Sequence, residues 1–66
     1  MDPVTRVKKS IRYAVRNYML SPDVVRTVEA LDDAQFNQLA ELVHAYQQET
    51  GGNVLHGVYI CLKEVS

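Results

Sequence analysis

The chain has 66 residues, which is enough for one small domain and too few for two. Its hydrophobic share of 47% and charged share of 23% are typical of a folded globular protein and exclude an intrinsically disordered chain. The formal net charge is −1 but is unevenly divided. Residues 1–26 carry six basic side chains against two acidic ones, and residues 27–66 carry one against six.

The chain has few internal means of stabilising so small a fold. Cys61 is the only cysteine, so no disulfide can form within the chain, and its apolar neighbours indicate a small buried hydrophobe. A single hydrophobic core in a chain this short rarely supplies more than about 3–5 kcal/mol. We therefore expect one helical domain over residues 1–66 that is completed by homodimerisation.

Residues 3–20 carry the pattern of a first amphipathic helix. Asp2 is suited to cap it and Pro3 to begin it, because the first helical N–H has no partner within the helix. Its apolar stripe, with members three and four residues apart, consists of Val4, Val7, Ile11, Ala14 and Tyr18. We predict that Tyr18 packs in the core and that the helix ends before Ser21, since a residue preceding proline is disfavoured in helical geometry.

Two further helices are predicted before the glycine pair. Ser21 is suited to cap a short second helix over residues 22–30. Asp32, with Gln35 three residues later, forms a capping-box pattern that begins a third helix. This helix should end near residue 50, because the glycines at 51–52 readily adopt the left-handed conformation of a helix C-cap.

The final segment, residues 53–65, is compatible with two structures. Its helical stripe consists of Leu55, Val58, Leu62 and Val65. Strand-favouring residues also alternate in it, and Gly57 weakens a helix by about 1 kcal/mol relative to alanine. We favour a helix; a strand is the alternative and would have to pair with a second subunit. The predicted fold class is an all-α bundle of three to four helices.

The first helix carries a basic face that no acid on the same helix neutralises. Its members, with one tyrosine among them, are Lys8, Lys9, Arg12, Tyr13 and Arg16. Like charges four residues apart mildly destabilise a helix, so a group outside it should offset them. That group is the acidic half of the chain, in cis or across a dimer, or an acidic protein partner, or nucleic-acid phosphates. A pI near 6.0 counts against nucleic acid.

Patterns that would indicate catalysis or metal binding are weak. Glu41 and His44 have the Glu-x-x-His spacing of di-metal bundles, but both lie off the apolar stripe of their helix. His44, His56 and Cys61 match no zinc module. No serine is placed predictably beside a histidine, and the glycine pair is typical of a helix end rather than a phosphate loop. We therefore predict no metal, no cofactor and no enzymatic activity.

The predicted function is that of a small regulatory or adaptor protein that binds and modulates a protein partner, by analogy with bacterial and phage-encoded inhibitors. The predicted contacts are the five residues of the basic face and, second in rank, Tyr59, which lies off the best stripe of its segment. The alternative is a nucleic-acid-binding regulator that uses the same face. Since no targeting or membrane-spanning pattern stands out, we expect a cytoplasmic location and no membrane contact.

Overall fold

A computed structural model describes residues 2–65, and within that range it contains four α-helices and no strand. The helices are α1 (Pro3–Arg16), α2 (Pro22–Ala30), α3 (Asp33–Thr50) and α4 (Val54–Val65). The all-helical prediction is therefore confirmed. The final segment is a helix, so the alternative of a strand paired with a second subunit is wrong.

Most of the predicted helix caps are confirmed. The Asp2 Oδ1 atom accepts a hydrogen bond from the N–H of Val4 at 3.0 Å, which begins α1. Asp32 and Gln35 form the reciprocal capping box, with bonds of 2.7 and 3.1 Å. Gly51 ends α3 with a φ of 71°, in the left-handed region.

The exception is Ser21, which stands at the N-cap of α2 but makes no capping hydrogen bond with its side chain. Its backbone makes two hydrogen bonds instead. The Ser21 N–H donates to the hydroxyl of Tyr59 at 3.1 Å, and its carbonyl accepts from the N–H of Val25 at 2.9 Å. The start of α2 is thus held by a contact with α4 that the sequence pattern does not reveal.

The hydrophobic core lies between α1, α3 and α4, with α3 packing against both of the others. Ile11, Leu39, Val43 and Val58 are its largest fully buried side chains. The short α2 contributes one buried residue, Val28, and covers one side of this core. The three long helices therefore form the scaffold, and α2 lies over it.

Helix α1 ends four residues earlier than predicted, at Arg16 rather than Leu20. In a continuous helix of about 100° per residue, Tyr18 would point to the same side as Ile11, and Leu20 to the opposite side. Ending the helix at Arg16 reverses this outcome: Leu20 is buried in the core, and Tyr18 is exposed. The prediction that Tyr18 packs in the core is therefore wrong. Burying Leu20 instead is less costly, because its aliphatic side chain has no hydroxyl that needs a hydrogen-bond partner.

Within residues 2–65, no helix has both the length and the apolar character needed to cross a bilayer.

Candidate functional site

The five residues predicted on the first helix lie together on the outer side of α1. Lys9, Arg12, Tyr13 and Arg16 are exposed, and Lys8 is half-buried. The opposite side of α1 carries the three residues of that helix that are buried in the core, Val7, Ile11 and Ala14. The helix is thus strongly amphipathic, and its cations and one aromatic ring form a ridge. We call the ridge of these five residues the basic ridge.

A groove runs along one side of the basic ridge, between α1 and the α2–α3 corner. Its apolar lining comprises Ile11, Val15, Val28, Leu31 and Phe36. The guanidinium carbon of Arg12 lies 4.9 Å from the ring centroid of Phe36, a cation–π contact that orients the arginine at the rim. The groove has a volume of about 330 Å³ and is open to solvent, so it has room for one or two side chains.

Acidic residues of the chain itself line the opposite rim of this groove. Arg12 and Arg16 line one side, and Glu29 and Asp33 line the other. Among residues 2–65, however, the only ion pair closer than 4.0 Å joins Arg26 to its neighbour Asp23 on α2. The acidic half of the chain therefore faces the basic ridge across a groove but leaves its charges free to meet another molecule.

A second groove lies on the other side of the basic ridge, between α1 and the start of α4. It is lined by Ser10, Tyr13, Ala14, Met19, Asn53, Val54 and Leu55. Tyr59 follows Leu55 by four residues, so the two lie on the same face of α4. The structure thereby brings the second-ranked residue, Tyr59, to the same side of the molecule as Tyr13.

The turn between α1 and α2 carries an exposed residue, Tyr18, for which a core position was predicted. The N–H of Met19 donates to the carbonyl of Ala14 at 3.0 Å, the bond of a Schellman motif following the C-cap, Asn17. Tyr18 occupies the position that glycine usually takes, with a φ of 56° and an exposure of 93%. A side chain in this conformation costs on the order of 1 kcal/mol.

One signal in the sequence could have revealed this turn. Asparagine, like glycine, is common where helices end, and Asn17 stands five residues before Pro22. In the structure its backbone N–H and its side-chain Nδ2 both donate to the carbonyl of Tyr13, at 3.0 and 2.8 Å. The asparagine thus satisfies the end of α1 before the proline is reached.

His56 and Cys61 each interact with a neighbouring side chain, and His44 lies apart from them on α3. His44 is half-buried on α3, beside the exposed Glu41. The Nδ1 atom of His56 lies 3.1 Å from the hydroxyl of Tyr46, and the two rings meet edge to face across the α3–α4 turn. Desolvation raises the pKa of the buried Cys61 thiol, with a further rise from the charge of Glu64, so this thiol is a poor nucleophile at neutral pH.

No group of three or more potential metal ligands occurs among residues 2–65. Comparison with known proteins yields no match with a family model, a curated protein or a solved structure.

Proposed function

We propose that this chain is a small, non-enzymatic regulatory or adaptor protein that binds an acidic surface of a protein partner through the basic ridge. The observation that carries the proposal is the set of unpaired cations on α1, placed between two shallow apolar grooves. Among residues 2–65, no carboxylate lies within 4.0 Å of any cation of the ridge.

The composition of the ridge supports a protein partner. Tyrosine and arginine are enriched at the buried centres of protein interfaces, and both occur here beside apolar recesses. Tyr13 is 62% exposed, so its ring is available to a partner. Arg12 is already oriented by its contact with Phe36, which lowers the entropy that it loses on binding.

The alternative partner, nucleic acid, is favoured by the same four cations and by their position along one helix face. The whole-chain charge counts against it. Residues 27–66 carry a net charge of −5, so a long polyanion that is attracted to the ridge is repelled by most of the remaining molecule. A localised acidic patch on a protein matches the ridge without that cost.

The proposal is tested by reversing charge on the ridge and away from it. A double variant, Lys9→Glu with Arg12→Glu, places acids where the partner's carboxylates would lie, whereas Lys63→Glu makes the same kind of change on α4. Proteins captured from the native host with the wild-type chain are identified and purified, and their affinities are measured. We expect the double variant to weaken binding by at least about tenfold and Lys63→Glu to leave it nearly unchanged.

The same variants decide between the two partner classes. Binding to non-specific duplex DNA that falls steeply with added salt, and that the double variant abolishes, would replace the protein partner with nucleic acid. Circular dichroism of each variant establishes that a loss of binding does not come from unfolding. A purified protein partner whose affinity is the same for all three chains would contradict the proposed use of the ridge.

We also propose that the chain forms a homodimer, which would supplement its small core. Most of the apolar content of residues 53–65 is used in the chain's own core, where five residues of α4 are buried: Gly57, Val58, Cys61, Leu62 and Val65. Ile60 remains 45% exposed and borders an α3–α4 groove lined also by Leu42, Ala45 and Tyr46. This groove is the surface that we assign to self-association.

A further inference from the structure

We infer that the turn between α1 and α2 is the anchor by which this chain holds its acidic protein partner. Tyr18 and Met19 would enter an apolar cleft of the partner whose rim carries carboxylates. This inference rests on the proposed function, and it names a contact that the basic ridge does not include.

The conformation and the exposure of Tyr18 do not serve the chain's own fold. The side chain is 93% exposed, so its ring packs against almost nothing. Its φ of 56° lies in the left-handed region, where glycine and asparagine are favoured and a bulky side chain is strained. A large residue that strains the backbone and contributes no packing is explained by a contact with another molecule.

Hydrogen bonds hold the turn in place on both sides of this tyrosine. Before it, Asn17 binds the carbonyl of Tyr13 with both its backbone and its side chain. After it, Met19 donates to Ala14, Leu20 is buried, and the N–H of Ser21 is bound by the hydroxyl of Tyr59. The ring of Tyr18 is thus presented from an ordered turn, which reduces the entropy lost on binding.

The residues around the turn extend the contact surface. Met19 is 48% exposed and lines the groove between α1 and α4 together with Tyr13 and Leu55. Tyr59, 43% exposed, reaches the turn through its bond to Ser21. Tyrosine and methionine are two of the residue types enriched at the centres of protein interfaces, and a flexible methionine adapts to the shape of a partner's cleft.

The charges beside the turn specify the chemistry of the partner. Arg16 comes two residues before Tyr18, and Arg12 and Lys9 follow along the same exposed side of α1. The complementary surface is therefore an apolar cleft with an acidic rim. Nucleic acid fits less well, because bases would stack on the tyrosines but offer no apolar cleft to Met19, and because residues 27–66 repel a polyanion.

The inference is tested with a display library of random peptides selected on the full wild-type chain. We expect the enriched peptides to combine aspartate or glutamate with apolar residues. One such peptide is then synthesised and its affinity measured for Tyr18→Gly, Tyr18→Phe and, as an off-site control, Gln38→Ala at an exposed position of α3. Tyr18→Gly should weaken binding by at least about tenfold, whereas Tyr18→Phe, which keeps the ring, and Gln38→Ala should leave it within about threefold.

A loss of binding by Tyr18→Gly would not come from unfolding, because glycine favours the backbone conformation that Tyr18 adopts. The thermal midpoint of Tyr18→Gly should equal or exceed that of the wild type. Peptides without acidic residues, or equal affinity for Tyr18→Gly and the wild type, would overturn the inference. So would binding only to a single-stranded oligonucleotide that Tyr18→Gly abolishes.

The ridge variant separates this inference from the proposed function. If the pair Lys9→Glu and Arg12→Glu abolishes peptide binding while Tyr18→Gly retains it, the ridge binds the partner and the turn is not its anchor. If both variants retain full affinity, both proposals fail. If both lose affinity, the ridge and the turn act on the same partner.

Discussion

At the scale of single residues, Gly57 shows that a tertiary contact can outweigh helix propensity. By helix propensity alone, this glycine weakens α4. In the structure it is buried where α4 crosses α3, and a Cβ atom placed on it would lie 2.9 Å from Cγ1 of Val43 and 3.3 Å from Cδ1 of Tyr46. Its lack of a side chain thus permits the close approach of the two helices.

We predict that Gly57→Ala destabilises the fold. Alanine gains about 1 kcal/mol of helix propensity, but Val43 is fully buried and β-branched, so it cannot move aside, and overpacking costs about 1–3 kcal/mol. The net loss should be about 1 kcal/mol in the free energy of unfolding, measured with a chemical denaturant. In a Val43→Ala background the same change should become neutral or stabilising. If Gly57→Ala stabilises the otherwise wild-type chain, α3 and α4 do not approach as closely as the structure indicates.

Tyr18 and Leu20 show a competition between neighbours for one core position. A longer α1 would bury the tyrosine, whereas the observed turn buries the leucine. The observed turn thus exposes Tyr18, which the periodicity of the sequence assigns to the core and which we propose as the anchor. The pattern of apolar spacing could not predict this, since Tyr18 continues the apolar stripe of α1, whereas Leu20 reaches the core only through the turn that follows the helix.

At the scale of elements, both ends of α3 and the start of α4 follow local chemistry. The capping box of Asp32 and the left-handed Gly51 delimit α3, and the Asn53 side chain accepts a hydrogen bond from the N–H of His56 at 2.8 Å to begin α4. These contacts join residues close in the sequence, which is why they could be predicted. The link between Ser21 and Tyr59 joins residues 38 apart and could not.

We predict that Asp32→Ala lowers the free energy of unfolding by about 1 kcal/mol, because it removes the acceptor for the N–H of Gln35. The matched control is Asp33→Ala, which removes a carboxylate of the same charge from the first turn of α3. That variant should lose less, since only the interaction with the helix dipole changes. Denaturant unfolding of both variants checks the prediction; equal losses would mean that charge, rather than the capping bond, stabilises the helix start.

At the scale of the whole molecule, charge and apolar surface are segregated. Residues 1–26 contribute the cations of α1 and the exposed turn, and residues 27–66 contribute most of the acids. The α3–α4 groove around Ile60 is lined also by Glu49 and Glu64 and lies apart from the basic ridge. A second copy bound at that groove would leave the ridge and the turn free for a partner.

We predict a sedimentation mass near twice 7.5 kDa at tens of micromolar chain, and a thermal midpoint that rises with protein concentration. Ile60→Glu should shift the chain to the monomer, because its carboxylate would be buried in the assigned surface beside Glu49 and Glu64. Gln48→Glu, at an exposed position that does not line that groove, serves as the control and should remain dimeric. A wild-type mass of 7.5 kDa at this concentration would rule out the dimer.

The sequence by itself determined the helical class, the caps at Asp2, Asp32 and Gly51, and the amphipathic character of α1. Each of these depends on residues within a few positions of one another, whose geometry the helical repeat dictates. The tertiary structure decided the rest: the early end of α1, the exposure of Tyr18, the role of Gly57 and the position of Tyr59 beside the turn. These depend on which side chains compete for one small core, and only the packing of all four helices resolves that competition.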